Sequence, residues 1–331
     1  MPRAAPPPER ILEGVRQGDR VMLARAITLV ESRRREHRES ARLLVRESLG
    51  RCGETLRIGI TGVPGAGKST FIESFGLLLC EAGHRVAVLA VDPTSGRSGG
   101  SILGDKTRME ELARHPSAFI RPSPSGGALG GVAARTRESV TLCEAAGFDV
   151  VIVETVGVGQ SEIAVRGMVD FFLLLQIAGA GDELQGIKKG IIEMADAIVV
   201  NKADGSNLAA AQRARVEYAR VLHYLQPFTR GWSPPAMACS SIEGTGLEEI
   251  REMIMRFREE LAREGEWEAR RRRQELDWFS SLAREAVLSR FFDDADRRAQ
   301  LRKLESEVES GRLPAMEAVE RLLAGAGDGP G

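Results

Sequence analysis

The sequence is poor in the residues that build metal centres and disulfide frameworks. It contains four cysteines and four histidines among 331 residues. The cysteines (Cys52, Cys80, Cys143 and Cys239) form no C-x-x-C pair, and none lies beside a histidine at zinc-like spacing. The pattern predicts small buried thiols in a reducing compartment, with no cross-links and no stored transition metal.

A large net charge and a long apolar run are also missing. Lys and Arg total 46 and Asp and Glu total 47, which gives a net charge of -1 and no reason to expect a nucleic-acid partner. The strongest apolar run, residues 171–177, is too short to span a bilayer. The first residues lack the apolar stretch of a secretory signal. We therefore expect a cytoplasmic protein without a membrane partner.

The central part of the chain has the sequence pattern of an α/β domain. Short apolar runs alternate with helical patterns, and the strands that they predict cover residues 56–61, 85–92, 150–154, 171–177, 197–201 and 235–240. Strands that are apolar throughout and separated by helices indicate a mostly parallel sheet with helices on both faces. We predict that this domain covers residues 56–256.

Both ends of the chain have helical patterns. Residues 1–55 carry an apolar stripe that includes Ile11, Val15 and Met22, which predicts an N-terminal helical segment. Residues 257–331 lack strand signals and carry large apolar residues at helical spacing before a glycine-rich end. We expect a helical arm that packs on the main domain or on a second subunit, followed by a disordered tail.

The strongest local motif is a phosphate-binding loop at residues 62–69. It satisfies G-x-x-x-x-G-K-[ST] and lies between a predicted strand and a predicted helix. Its glycines let successive backbone N–H groups turn toward phosphate oxygens, and the following helix adds a positive end. We expect Lys68 to contact the β- and γ-phosphates and Ser69 to bind Mg²⁺. The predicted nucleotide-binding residues here are Gly62, Val63, Pro64, Gly65, Ala66, Gly67, Lys68, Ser69 and Thr70.

A second motif predicts that the base of the nucleotide is guanine. Asn201, Lys202 and Asp204 form N-K-x-D after the apolar run 197–200. The Asp204 carboxylate can accept both N1–H and the exocyclic amine of guanine, a donor pair that adenine does not offer. The next strand ends in Ser240, Ser241 and Ile242, which resemble the S-A base loop of G proteins except that serine replaces alanine at position 241. All six residues are predicted to bind the nucleotide.

Carboxylates near the phosphate loop supply the candidate magnesium ligands. Glu154 and Gly157 occupy the place of the usual D-x-x-G motif, with glutamate replacing aspartate. Glu154 can hold a metal-bound water, and the Gly157 N–H can meet the γ-phosphate. Asp92, at the end of a predicted strand, and Asp105 are further candidates. With Ser69, these three acidic residues are the predicted metal site, and with Lys68 they are the predicted catalytic groups.

Hydrolysis by the free protein is expected to be slow. Many GTPases carry glutamine directly after D-x-x-G to orient the attacking water, whereas this chain carries Val158 there and Gln160 two positions further on. A partner protein, or a loop residue such as Lys188 or Arg108, would then complete the site. Two glycine-rich stretches, residues 94–104 and 179–189, have the composition of switch loops or of passive connectors.

Five segments together resemble the MeaB-type G proteins, a family that includes human MMAA and proteins labelled ArgK or "LAO/AO transport kinase". The segments are residues 62–70, 91–95, 99–109, 154–162 and 179–189, and the resemblance covers nearly the whole chain. It implies a GTPase that uses GTP/GDP and Mg²⁺ and that forms a homodimer through its C-terminal helices.

The resemblance also implies a partner. The family gates delivery of adenosylcobalamin to methylmalonyl-CoA mutase and protects or rescues that mutase. Residues 179–189 match a switch loop that communicates with the mutase, and the predicted coupling residues are Asp182, Glu183, Gln185 and Lys188, of which Lys188 is also a catalytic candidate. The chain has no D-x-H-x-x-G motif for cobalamin, so it should not hold that cofactor itself.

Two other functions remain open at this point. A nucleotide-dependent kinase of basic amino-acid transport is one, although Asp204 favours guanine. A nickel-insertion GTPase of the same branch of P-loop proteins is the other, although such proteins usually carry His-rich or Cys/His storage elements that this sequence lacks.

Overall fold

A computed structural model describes most of the chain in seven stretches, which are residues 6–32, 34–49, 54–91, 109–122, 129–155, 160–179 and 189–324. Within them lies a sheet of seven strands. The strands are β1 (Leu56–Gly62), β2 (Val86–Val91), β3 (Ala118–Arg121), β4 (Val150–Thr155), β5 (Phe171–Ile177), β6 (Ala197–Asn201) and β7 (Ala236–Ala238).

The sheet is parallel at every pairing between these strands. Its order is β3-β2-β4-β1-β5-β6-β7, and the register runs from Ile58 opposite Ile152 on one side to Ile58 opposite Phe171 on the other. Since all strands run the same way, their carboxyl ends meet at one edge. The predicted α/β class with a mostly parallel sheet is confirmed.

Thirteen α-helices lie in the described part of the chain. They are α1 (Pro8–Arg16), α2 (Arg20–Glu31), α3 (Arg38–Ser48), α4 (Lys68–Glu81), α5 (Glu110–Arg114), α6 (Leu129–Ala145), α7 (Gln160–Arg166), α8 (Lys189–Met194), α9 (Leu208–Tyr224), α10 (Leu247–Arg263), α11 (Glu266–Asp293), α12 (Ala295–Glu309) and α13 (Ala315–Ala324). None of these is long and apolar enough to cross a membrane.

The two faces of the sheet bury separate apolar cores. Ile152 of β4 packs in one core with residues of α4 and α10, whereas its neighbours Val151 and Val153 pack in the other with residues of α1, α2, α3 and α6. This alternation follows from the two-residue period of a strand. The N-terminal helices therefore cover one face of the central sheet.

Cysteines add to these cores as the composition predicted. Cys80, Cys143 and Cys239 are free and buried, while Cys52 lies outside the described residues.

The described chain divides into two compact units, Met1–Arg270 and Arg271–Gly331. The division falls after Arg270, whereas the sequence pattern placed the start of the helical arm at residue 257. Residues 257–270 belong to the first unit because Phe257, Leu261 and Trp267 are buried in its core. Within the second unit, α12, α13 and the connection between them form a small core, whose buried members are Leu304, Leu313, Ala318 and Leu322.

A buried charge cluster holds the start of β6 to neighbouring elements of the first unit. The Asp196 carboxylate accepts a hydrogen bond from the Phe172 N–H at 2.9 Å and pairs with the Arg166 and Arg270 guanidinium groups at 3.1 and 3.4 Å. Thr229 also donates to this carboxylate. Asp196 is fully buried, so its charge is stable there only because these partners surround it.

Replacing Asp196 with alanine should destabilise the protein strongly. The Asp196→Ala change leaves two buried guanidinium groups without their carboxylate, which should lower the free energy of unfolding by about 3–5 kcal/mol in urea denaturation. The exposed Glu217→Ala on α9 serves as control and should change it by less than about 0.5 kcal/mol. A loss below about 1 kcal/mol for Asp196→Ala would show that the cluster does not anchor β6.

Candidate nucleotide-binding site

The phosphate loop connects β1 to α4 at the carboxyl edge of the sheet. A Cβ at Gly62 would collide with the Leu175 carbonyl of β5, so only glycine fits there. Gly67, which immediately precedes α4, has a left-handed backbone with φ 83°. The first N–H groups of α4 have no partner within the helix, and the helix dipole makes this end positive. The geometry is that of an anion-binding site.

Lys68 lies folded over the loop. Its Nζ donates to the carbonyl oxygens of Gly62 and Val63 at 2.9 and 3.4 Å. Burial lowers the pKa of Lys68, and the negative charges of Glu154 and Glu162 oppose that shift. The ammonium group is thus hydrogen-bonded to neutral carbonyl groups of the loop. A phosphate oxygen can replace these carbonyls as its partner.

Two predicted magnesium ligands are brought together beside the loop. The Ser69 hydroxyl donates to Glu154 Oε1 at 3.5 Å. Glu154 is at the carboxyl end of β4, the neighbour of β1 in the sheet. Hydroxyl and carboxylate oxygens are the ligand types that Mg²⁺ prefers, so the two residues fit the ion that the sequence predicts.

The N-K-x-D motif follows β6 in a strained turn. Lys202 has φ 58°, a left-handed conformation that is uncommon for residues other than glycine. The turn is held by Asn207, whose amide donates to the Lys202 carbonyl at 2.6 Å, and by the Ala203 N–H, which donates to the Cys239 carbonyl at 2.9 Å. Such strain at a loop that carries polar motif residues is typical of a binding site.

Asn201 is buried between the phosphate loop and the loop after β7. Its Nδ2 donates to the Ala66 carbonyl at 2.9 Å, and its Oδ1 accepts from Ser241 N and Ser241 Oγ at 3.2 and 2.8 Å. Cys239 Sγ also lies 3.5 Å from Oδ1. Burial raises the pKa of Cys239 to about 12, so its thiol remains a protonated donor at neutral pH.

Asp204 is oriented by the same loop. Ser240 Oγ donates to Asp204 Oδ2 at 2.6 Å and accepts from the Glu243 N–H at 3.1 Å. Asp204 is half-buried, whereas Ile242 is 81% exposed. The Ser240 hydroxyl thus holds one oxygen of the Asp204 carboxylate, and Ile242 lies at the surface of the loop.

Several predicted site residues lie outside the described residues. They are Asp92, Asp105, Gly157, Asp182, Glu183, Gln185 and Lys188. Their roles stay predictions.

The structure adds residues that the motifs did not name. Thr155 Oγ1 donates to Thr61 Oγ1 at 2.8 Å, which joins the ends of β4 and β1, and both threonines are buried. Ser74 of α4 donates to the Ser241 carbonyl at 2.6 Å. The threonines adjoin motif residues and could have been found from that position. Nothing in the sequence pattern marks Ser74.

A phosphate loop, a hydroxyl–carboxylate pair beside it and the aspartate of an N-K-x-D motif at one sheet edge are the arrangement typical of a P-loop GTPase. Residues 23–296 match the family model of the methylmalonyl-CoA mutase-associated GTPase MeaB, and the chain belongs to this family. The resemblance expected from the sequence is thereby confirmed.

Relatives of known name agree with this assignment. The chain is 49% identical over 308 residues to GTPase ArgK of Escherichia coli, with 93% of each chain covered. It is 46% identical over 325 residues to the mitochondrial methylmalonic aciduria type A homolog of Mus musculus, covering 95% of this chain and 78% of that protein. A crystal structure of a LAO/AO transport system kinase superposes with a TM-score of 0.79 at 42% identity and covers 96% of both chains.

Changing Asp204 to asparagine should change the preferred base of the bound nucleotide from guanine to xanthine. With Ser240 donating to the asparagine oxygen, the new amide nitrogen faces the base and donates to the 2-oxo group of xanthine. Calorimetry should show GDP affinity lowered at least about tenfold and XDP bound more tightly than GDP. Asp277→Asn on the exposed part of α11 is the matched control and should leave both affinities unchanged. Unaltered GDP binding by Asp204→Asn would remove Asp204 from the base site.

Proposed function

We propose that this GTPase gates delivery of adenosylcobalamin to an adenosylcobalamin-dependent acyl-CoA mutase, with methylmalonyl-CoA mutase as the first candidate, and protects or reactivates that mutase. The observation that carries the proposal is that the Asn201 side chain joins the phosphate loop to the loop after β7. The chain in which this occurs belongs to the MeaB family. The mouse relative is named for methylmalonic aciduria, which supports the same client.

The described residues have distinct parts in the proposed reaction. Lys68 exchanges its loop carbonyls for β- and γ-phosphate oxygens, and the N–H groups at the start of α4 bind the same phosphates. Ser69 and Glu154 would hold Mg²⁺, which would supply positive charge to neutralise the phosphates. Asp204 reads guanine, and Asn201 keeps the base loop beside the phosphate loop.

A partner protein is proposed to complete the hydrolytic site. The sequence carries Val158 where many GTPases carry the water-orienting glutamine. Asp92 and Asp105 are proposed to extend the metal and switch network, and Gly157 to meet the γ-phosphate. Asp182, Glu183, Gln185 and Lys188 are proposed to couple the state of the nucleotide to the mutase. A lysine in this loop can stabilise charge that develops on the transferred phosphate.

A cognate cobalamin-dependent mutase should accelerate GTP hydrolysis by this protein. Phosphate release is measured with and without purified methylmalonyl-CoA mutase, and we expect stimulation of at least about tenfold because the partner completes the site. Lys68→Ala should abolish both rates. Lys188→Ala should retain the basal rate and mutase binding but lose the stimulation.

Four outcomes would count against these assignments. If Lys188→Ala is stimulated as strongly as the parent, residue 188 is not the coupling element. If no cobalamin-dependent mutase stimulates the parent, the chaperone function is wrong. Transfer of the γ-phosphate to a basic amino acid would favour the kinase alternative, and stimulation by a nickel enzyme precursor would favour the nickel-insertion alternative.

The second compact unit is proposed to form a homodimer contact. Leu276, Phe279 and Val287 of α11 are each about two-thirds exposed, at 66%, 69% and 67%. Their spacing places them on one stripe of the helix. Large apolar side chains on one exposed stripe are typical of a protein interface, and a second copy of the chain is the occupant that the family resemblance implies.

Introducing a charge on this stripe should separate the dimer. The parent should have a solution mass near twice that of the 36.0 kDa chain, and Phe279→Glu should give monomers in sedimentation velocity, because a buried unpaired carboxylate opposes association. Leu208→Glu, a similar change at an exposed leucine of α9, should leave the mass unchanged. A dimer that survives Phe279→Glu at micromolar concentration would place the interface elsewhere.

A further inference from the structure

The loop after β7 is tied to both halves of the nucleotide site through one residue, Ser241. Its hydroxyl donates to Asn201 Oδ1 at 2.8 Å, its N–H donates to the same oxygen at 3.2 Å, and its carbonyl accepts from Ser74 Oγ at 2.6 Å. Ser241 is 4% exposed. Every polar group of this residue is therefore used inside the protein.

The hydroxyl of Ser241 helps to fix the orientation of the Asn201 side-chain amide. The N–H and the hydroxyl of Ser241 both donate to Asn201 Oδ1, and the Cys239 thiol is a third, longer donor at 3.5 Å. With its oxygen fixed in this way, the amide nitrogen of Asn201 faces the phosphate loop and donates to the Ala66 carbonyl at 2.9 Å. The alanine found at this position in the S-A base loop would provide the N–H alone. Serine adds a buried hydrogen bond that holds the amide in one orientation.

Ser74 provides an independent connection to the phosphate half. It lies on α4, the helix that begins at Lys68, between one and two turns after the phosphate loop. Its hydroxyl is half-buried and reaches the Ser241 carbonyl. The base loop is thus bound to the phosphate loop through Asn201 and to the following helix through Ser74.

We propose that Ser74 and Ser241 are positioning residues that keep the base loop and the phosphate loop in register, and that they set how long guanine nucleotide stays bound. The inference rests on the assignment of Asn201 and Asp204 to the guanine site. Neither hydroxyl is required to touch the reacting phosphate, so the pair acts on retention of the nucleotide and not on cleavage.

The test compares nucleotide release with the chemical step. A fluorescent GDP analogue is displaced from the full-length parent, Ser241→Ala and Ser74→Ala, and GTP cleavage is followed in a single turnover. Each change removes one hydrogen bond, so we expect release to accelerate about three- to tenfold in each variant. For Ser74→Ala, the association rate and the single-turnover rate should change by less than about twofold, since affinity changes within one site fall mainly on release.

Two further variants separate positioning from a general loss of stability. Ser74→Thr keeps a hydroxyl on α4 and should restore the parental release rate. Ser289→Ala removes an exposed hydroxyl that bonds Asp293 on α11 and should leave release unchanged. The unfolding midpoint of the GDP-free protein is measured for every variant, and positioning predicts faster release without a matching fall in that midpoint.

The outcomes distinguish the positioning role of the two serines from the assignment of the guanine site. If the parent does not prefer GDP to ADP, the guanine site itself is wrong, whatever the serine variants show. If the parent prefers GDP but Ser241→Ala and Ser74→Ala release it at the parental rate, the positioning role is overturned. The same conclusion follows if Ser74→Thr releases GDP as fast as Ser74→Ala while remaining folded, because the hydroxyl would then be irrelevant.

Discussion

The side-chain amide of Asn201 lies buried where two loops of different chemistry meet. One loop, after β1, carries Lys68 and the backbone N–H groups proposed to bind phosphate, and the other, after β7, carries Ser240, which donates to Asp204, the proposed base-reading carboxylate. The amide donates to the Ala66 carbonyl of the first and accepts from Ser241 of the second. Because a buried amide must satisfy both its nitrogen and its oxygen, neither loop can move without breaking a bond to Asn201. The distance between the phosphate and base sites is thereby set by the protein before nucleotide arrives.

Sheet topology makes this contact possible. The phosphate loop follows β1 and Asn201 ends β6, and only β5 separates these strands in the order of the sheet. Gly62 lets the loop pass close to the β5 carbonyl of Leu175, and Gly67 lets it approach Asn201. Glu154 arrives at the same edge from β4 on the other side of β1. Parallel strands therefore bring together a cation, two candidate magnesium ligands and the candidate base-reading carboxylate, which are far apart in the sequence.

Much of this site could be predicted from the sequence, since its motifs are local. G-x-x-x-x-G-K-[ST] and N-K-x-D each specify a backbone turn as well as its side chains, and apolar runs mark the strands before them. Strand β3 was missed because it has four residues and ends in Arg121, which leaves no clear apolar pattern. Ser74 and the Arg166–Asp196–Arg270 cluster were missed because their partners are distant in sequence. The boundary of the first compact unit was likewise set by packing of Trp267, which helical periodicity does not reveal.

Selection of guanine by these joined loops is the property on which the proposed function depends most. Its most direct measurement is calorimetric titration of the nucleotide-free parent protein with GDP and with ADP in the presence of Mg²⁺. The Asp204 carboxylate finds a donor pair on guanine and none on adenine, and a site whose buried polar groups lack partners rejects the ligand strongly. We expect GDP to bind at least about a hundredfold more tightly than ADP. Equal affinities for the two nucleotides would contradict guanine selection by Asp204.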